Sequence, residues 1–161
     1  YAAFDGPFVI RYPRGKGEMK DWRNEMQVLP IGKGKKLRDG DDIAVLSIGP
    51  IGNEVIKAIE MVKEERVSIA HYDMIYLKPL DEELLHEIGQ KYNRIITVEN
   101  GVIKGGFGSA VLEFMADNGY TPHVKRIGVP DAFIEHGSIP ELYQLCGMDA
   151  ESIAKQLKKE N

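Results

Sequence analysis

The chain has 161 residues and a mass of 18.0 kDa, which is the length of one ordinary domain. Its apolar fraction of 43% and charged fraction of 29% exclude disorder, collagen-like repeats and coiled coil as the main architecture. No run approaches 18 apolar residues, so the sequence predicts no membrane span. The single cysteine, Cys146, has neither a disulfide partner nor neighbours at zinc-ligand spacing, and we therefore expect a reducing, cytoplasmic setting.

Charge is distributed unevenly along the chain. The net charge is −4, yet residues 11–38 carry a net +6 and the remainder a net −10. The acidic balance of the whole argues against nucleic acid as the main partner. The basic stretch leaves two interpretations open, a solvated polar connector or a site for a polyanion.

The chain opens on an apolar segment. Pro7–Tyr12 is typical of a buried strand, and Pro13-Arg14-Gly15 would end it. No initiator Met or signal peptide precedes this segment. A strand that opens a chain without an earlier partner indicates a piece of a longer protein, with residues 1–15 as the end of an upstream domain and residues 16–37 as a linker.

From Asp41 onward, short β-branched runs alternate with amphipathic segments. Strands are predicted over residues 43–48, 67–72, 94–99 and 123–129. Helices are predicted after each strand: one with Ile51, Val55, Ile59 and Val62 inward, one capped by Asp81, one with Val111, Leu112 and Met115 on one face, and two closing helices over Pro140–Cys146 and Asp149–Lys159 with Gly147 as a C-cap. This alternation predicts a doubly wound α/β domain over about residues 38–161, with a mainly parallel open sheet and helices on both faces.

Three glycine-containing turns lie where such a sheet binds ligands, beyond the carboxyl ends of its strands. Gly49-Pro50-Ile51-Gly52 follows the first predicted strand, Glu99-Asn100-Gly101 follows the third, and Gly105–Ser109 opens the next helix. The last of these turns has the composition of a phosphate cradle but matches neither the dinucleotide nor the Walker pattern. Glu99 would also repel a phosphate, so we interpret these glycines as turn and packing residues.

Other catalytic signatures are weak. The four histidines are dispersed, and no pair has the spacing of a helical metal site. His136, in the loop after the last strand, is the best candidate for a site, with loop capping as the alternative. No nucleophile elbow or Ser–His–Asp order is found. Arg14 follows a rigid Pro turn, which suits either a phosphate-binding guanidinium or a surface arginine packed on Tyr12.

Several segments resemble the 1-deoxy-D-xylulose-5-phosphate synthase family, over nearly the whole chain and in the right order. They are Gly6–Gly15, Leu29–Gly34, Tyr72–Asp81, Thr97–Gly101 with Gly105–Ser109, and Ile127–Gly137. One departure is Ile75, where family members often carry Arg. The resemblance implies a homodimeric enzyme with three α/β domains that uses thiamine diphosphate and Mg²⁺. It further implies that this chain is a C-terminal fragment without catalytic or metal-binding residues, and that it binds no cofactor itself.

The resemblance also implies a reaction and one site residue. Such an enzyme decarboxylates pyruvate and transfers the two-carbon unit to D-glyceraldehyde 3-phosphate. Arg14 matches a family arginine that contacts the phosphate of that acceptor. The domain at 38–161 is then expected to support the dimer, with Glu99, Asn100, Gly105, Gly106 and His136 as candidate interface or site-edge residues.

Three alternatives remain open from the sequence. The chain could come from a sugar-phosphate transketolase or from the β subunit of a 2-oxoacid dehydrogenase, since both have similar C-terminal domains. It could instead be a free-standing flavodoxin-like binding module. Arg14 in its Arg-Tyr-Pro-Arg-Gly context favours an enzyme with a phosphorylated acceptor, and the opening strand and basic linker disfavour the free-standing module.

Overall fold

A computed structural model of the chain describes residues 6–10, 12, 17, 23 and 28–158. These residues contain five strands: β1 (Lys35–Arg38), β2 (Ile43–Ile48), β3 (Ile69–Asp73), β4 (Arg94–Val102) and β5 (His123–Val129). They also contain five helices: α1 (Gly52–Met61), α2 (Glu82–Lys91), α3 (Phe107–Asp117), α4 (Ile139–Leu145) and α5 (Ala150–Leu157).

The strands form one open sheet in the order β1-β3-β2-β4-β5. Strand β1 runs antiparallel to β3, and the other neighbours are parallel. The chain moves to one side of β2 and then to the other, so the sheet is doubly wound. The predicted fold class is therefore confirmed.

Each face of the sheet is covered by its own apolar cluster. On one face Val45 and Ile96 pack with Val55 of α1 and Ile153 of α5, all fully buried. On the other face the neighbouring strand residues pack against α2 and α3. Because successive side chains of a strand point to opposite faces, an unbroken apolar run such as 43–46 feeds both clusters.

The helix ends follow the sequence signals. Asp81 is the N-cap of α2, and its carboxylate accepts a hydrogen bond from the backbone N–H of Leu84 at 3.2 Å. Gly147 follows α4 with φ +66°, and the next N–H, that of Met148, donates to the carbonyl of Tyr143 at 2.8 Å. Only glycine adopts that backbone angle without cost, so the predicted C-cap is confirmed.

Two sequence predictions need correction. Residues 35–37 fall in the predicted linker, yet they belong to the edge strand β1. All four β1 side chains are exposed, so the segment lacks the alternation of apolar and polar residues that predicts a half-buried strand.

The second correction concerns the strand predicted over Pro7–Tyr12. Described positions 7–10 and 12 form no strand, and Val9 and Tyr12 are 89% and 82% exposed. A strand needs a hydrogen-bonded neighbour, and no described strand pairs with this segment. Its assignment to the end of an upstream domain stays a prediction.

Candidate functional site

Glu99 lies at the carboxyl end of β4 and is only 4% exposed. Its two carboxylate oxygens accept hydrogen bonds from the backbone N–H groups of Phe107 and Gly108, both at 2.8 Å. These donors belong to the first turn of α3, where the helix dipole favours negative charge. The glycine-rich turn therefore holds an anion from its own chain, and the donors that a phosphate would need are already occupied.

The two glycines before α3 shape this contact. A Cβ on Gly106 would overlap the Glu99 carboxylate and the Val102 carbonyl, so only glycine lets the turn approach so closely. The backbone N–H of Gly105 donates to the Ser109 hydroxyl at 3.0 Å, and Gly105 itself is exposed. The turn is thus fixed from inside, while its outer edge faces solvent.

Asn100 is exposed and lines an apolar cleft of about 210 Å³, and His136 is exposed as well. The Asn100 side-chain amide donates to the Tyr143 hydroxyl at 3.4 Å at the edge of this cleft. Leu142 and Cys146 of the α4 region contribute to its wall. Phe133, which precedes the lining residue Ile134 in the chain, is fully exposed.

The structure brings Glu99, Asn100, Gly105 and Gly106 together around one turn. Glu99 faces inward and Asn100 outward, as successive strand residues do. No described contact joins His136 to any of the four. Arg14, the predicted phosphate-binding residue, lies outside the described residues.

The sheet also contains a buried polar pair that no motif in the sequence predicts. His71 of β3 and Ser47 of β2 are each 1% exposed, and His71 Nε2 lies 2.8 Å from Ser47 Oγ. Burial lowers the pKa of His71 from 6.5 to about 4, so the imidazole is neutral at physiological pH. The only sequence signal for this pair was the position of His71 within an apolar strand run.

Three basic side chains in the described part of the basic stretch lie beside acidic side chains. Lys33 contacts Asp81 and Glu83, Lys36 pairs with Asp39 at 2.6 Å, and the Arg38 guanidinium lies 3.3 Å from Glu60. The choice between a connector and a polyanion site stays a prediction, because four of the nine basic residues of this stretch lie outside the described residues.

The described residues do not fit a thiamine diphosphate–Mg²⁺ site. Across residues 28–158 and the described positions before them, no group of three or more His, Cys, Asp or Glu side chains could hold a metal ion. The best candidate for a diphosphate cradle, the start of α3, is filled by Glu99. None of the helices formed by the described residues is long and apolar enough to cross a membrane.

Comparison with known proteins shows close relatives. The chain is 61% identical over 156 residues to the 1-deoxy-D-xylulose-5-phosphate synthase of Bacteroides thetaiotaomicron, a match that covers 96% of the chain and 24% of that protein. The enzymes of the same name from Porphyromonas gingivalis and Geobacillus thermodenitrificans are 60% and 41% identical, over 95% and 96% of the chain. The chain spans about a quarter of the length of these curated relatives, 24% and 25% for the latter two.

Solved structures agree on the fold. A split-gene transketolase, described as an inactive β4 tetramer, superimposes with a TM-score of 0.71 at 29% identity, covering 81% of this chain and 44% of that one. Transketolase from Campylobacter jejuni superimposes with a TM-score of 0.57 at 12% identity, over 78% of this chain and 18% of that one, which supports the fold alone.

The family assignment rests on these matches together with the geometry. The doubly wound sheet has an antiparallel edge strand, and a glutamate caps the helix that a glycine-rich turn opens. The family model described as the transketolase C-terminal domain matches residues 32–153, which include β1 and the first half of α5. The chain belongs to the transketolase C-terminal domain family.

Proposed function

We propose that this chain is the C-terminal part of a 1-deoxy-D-xylulose-5-phosphate synthase. Such an enzyme joins pyruvate to D-glyceraldehyde 3-phosphate with loss of CO₂, and its product feeds isoprenoid and thiamine synthesis. The observation that carries this proposal is the 61% identity over 96% of the chain with a protein of that name. Identities of 12–29% with the transketolases make a sugar-phosphate transketolase the weaker candidate.

The chemistry of the proposed reaction belongs to the rest of the enzyme. Thiamine diphosphate with Mg²⁺, when bound, stabilises the carbanion that decarboxylation leaves. The filled helix start at Glu99 and the lack of a metal-ligand cluster among the described residues support placing the cofactor outside them. We expect the 161-residue chain alone to be inactive, and the intact enzyme to act in the cytoplasm.

The proposed role of residues 38–161 is to support a homodimer. The turn at Glu99–Gly101 and the turn at Gly105–Ser109 are the candidate contacts. The buried Glu99 carboxylate fixes their shape, while Asn100 and Gly105 present an exposed edge. Removing residues 38–161 from the intact enzyme is expected to weaken both dimer formation and activity. A fully dimeric, fully active truncation would contradict this role.

The proposed role of Arg14 is to bind the phosphate of glyceraldehyde 3-phosphate. A guanidinium takes a phosphate with two parallel hydrogen bonds, and Pro13 fixes the backbone before it. Removing such a contact lowers affinity for the phosphorylated acceptor without changing the decarboxylation of pyruvate.

The experiment measures product formation by the intact enzyme with both substrates, thiamine diphosphate and Mg²⁺. We expect 1-deoxy-D-xylulose 5-phosphate, and for Arg14→Ala a rise of about 10- to 100-fold in KM for the acceptor. Lys125→Ala, at an exposed position of β5, is the matched control and should leave KM unchanged. Transfer of two-carbon units between sugar phosphates, or no carboligation at all, would overturn the proposal.

A further inference from the structure

A cleft of about 280 Å³ opens between the edge strand β1 and helix α1, away from the Glu99 turn. Leu37 and Arg38 of β1 form one side, Ile56, Ile59 and Glu60 of α1 form the other, and His71 of β3 lies at its inner end. The volume suits a molecule of about ten non-hydrogen atoms, near the small end of the usual range for ligand pockets.

His71, at the inner end of the cleft, has two ring nitrogens, and only one of them has a described hydrogen-bond partner. His71 Nε2 contacts the Ser47 hydroxyl at 2.8 Å. His71 is one of the side chains that line the cleft, and its other ring nitrogen, Nδ1, has no hydrogen-bond partner among the described residues. A buried polar atom without a protein partner needs one from water or a ligand.

The mouth of the cleft carries one positive and one negative group. The Arg38 guanidinium and the Glu60 carboxylate lie 3.3 Å apart, and their side chains are 46% and 61% exposed. Exposed pairs of this kind hold together weakly, so a ligand could separate them at little cost. The Arg38 guanidinium can then bind a carboxylate of the ligand, and the Glu60 carboxylate can bind an ammonium group of the ligand.

The wall between the mouth and His71 is apolar. Ile59 is buried, and Ile56 and Leu37 are 47% and 44% exposed. A matching ligand carries a carboxylate and an ammonium group at one end, a short apolar stem, and one uncharged polar group at the other end. A distal amide fits best, because it offers both a donor and an acceptor and so pairs with either tautomer of His71.

We propose that the cleft between β1 and α1 binds a free, uncharged polar amino acid of glutamine's size. Arg38 takes its carboxylate, Glu60 takes its ammonium, Ile56 and Ile59 cover its methylene stem, and His71 Nδ1 bonds its side-chain amide. A distal carboxylate is rejected, because it would bury a second negative charge beside a neutral imidazole. The site is independent of the proposed reaction.

The test is a titration of the ¹⁵N-labelled 161-residue chain with L-glutamine, followed by NMR. We expect saturable shifts at the backbone amides of Arg38, Glu60 and His71, and at the His71 ring nitrogens, below about 10 mM ligand. L-leucine and L-glutamate, which lack the distal amide, should bind at least about tenfold more weakly. No saturable shift, or equal binding of L-leucine, would overturn the proposal.

Variants identify the groups responsible. Arg38→Gln and Glu60→Gln should each weaken L-glutamine binding by about tenfold or more, since each removes one charged partner of the head group. Both positions are exposed, and Glu60→Gln on the outer face of α1 gives the answer if Arg38→Gln disturbs the edge strand. Lys36→Gln, next to the cleft and paired with Asp39, is the matched control. Binding that survives both cleft variants would contradict the assignment.

Discussion

Two buried polar side chains lie on either side of the central strand β2, and the structure treats them differently. Glu99 on β4 has both of its carboxylate oxygens satisfied by backbone N–H groups at 2.8 Å. His71 on β3 is neutral, has one partner in Ser47, and borders a cleft. A buried charge requires a complete set of partners, whereas a neutral imidazole can keep one nitrogen available. The Glu99 carboxylate is thus fully used in holding the start of α3, whereas His71 keeps one ring nitrogen without a described protein partner.

The largest expected effect on stability comes from removing the Glu99 carboxylate. Glu99→Ala leaves the N–H groups of Phe107 and Gly108 without partners at a buried helix start, and it should lower the free energy of unfolding by about 4 kcal/mol. Urea denaturation measures this loss. Glu99→Gln should cost less, because the amide oxygen still accepts one of the two bonds.

The control for this prediction lies on the same helix. Glu113→Ala, exposed on α3, should change stability by less than about 0.5 kcal/mol. If Glu99→Ala cost no more than Glu113→Ala, the carboxylate would not be holding α3, and a phosphate could then compete for the glycine-rich turn.

The next largest effect is the dependence of folding stability on pH that His71 causes. The pKa of His71 is about 4 in the folded chain, against 6.5 when unfolded. Between these values the unfolded state binds a proton that the folded state does not, so stability falls as pH falls. The slope is about 1.4 kcal/mol per pH unit, or about 3 kcal/mol in total.

The contribution of His71 is isolated by comparing the pH dependence of stability in wild type and in a His71 variant. His71→Gln should remove the contribution, so the difference between wild type and variant should grow from pH 4 to pH 6.5 and then level off. His136→Gln, at an exposed loop position, is the matched control and should leave the slope as it is. A wild-type slope that persists in His71→Gln would mean that His71 is not the buried neutral group described here.

The elements of the fold differ in how well the sequence predicts them. The bounds of β2 and β5, the Asp81 cap and the Gly147 turn follow from apolar runs and from residues with strong local preferences. Those signals act over a few residues, so a single sequence carries them. The exposed edge strand β1 has no such signal, because its only structural requirement is a backbone pairing with β3.

The candidate site is predicted less completely, for a similar reason. The Glu99 and Gly105–Ser109 segments are recognisable, and their closeness follows from the turn that joins them. The sequence does not show that Glu99 faces inward and fills the helix start. The Ser47–His71 pair joins neighbouring strands across 24 residues, and it depends on the register of β2 against β3. Register is a tertiary property, so spacing along the chain cannot supply it.

A smaller effect sharpens the role of Ser47. Ser47→Ala removes the hydroxyl that contacts His71 Nε2 and leaves that nitrogen unpartnered, which should cost about 1–2 kcal/mol. Thr97→Val is the matched control on the neighbouring strand. The Thr97 hydroxyl is buried without a described partner, so its loss should be neutral or stabilising. Equal costs for the two variants would show that the Ser47 contact contributes nothing specific.

The smallest expected effect is the coupling between Arg38 and Glu60 at the mouth of the cleft. A double-mutant cycle with Arg38→Gln and Glu60→Gln should give at most about 0.5 kcal/mol, because both side chains are largely exposed and their closest atoms are 3.3 Å apart. The coupling should shrink further in high salt. A value above about 1.5 kcal/mol would mean a firmly held pair. The cleft would then be closed to a zwitterion.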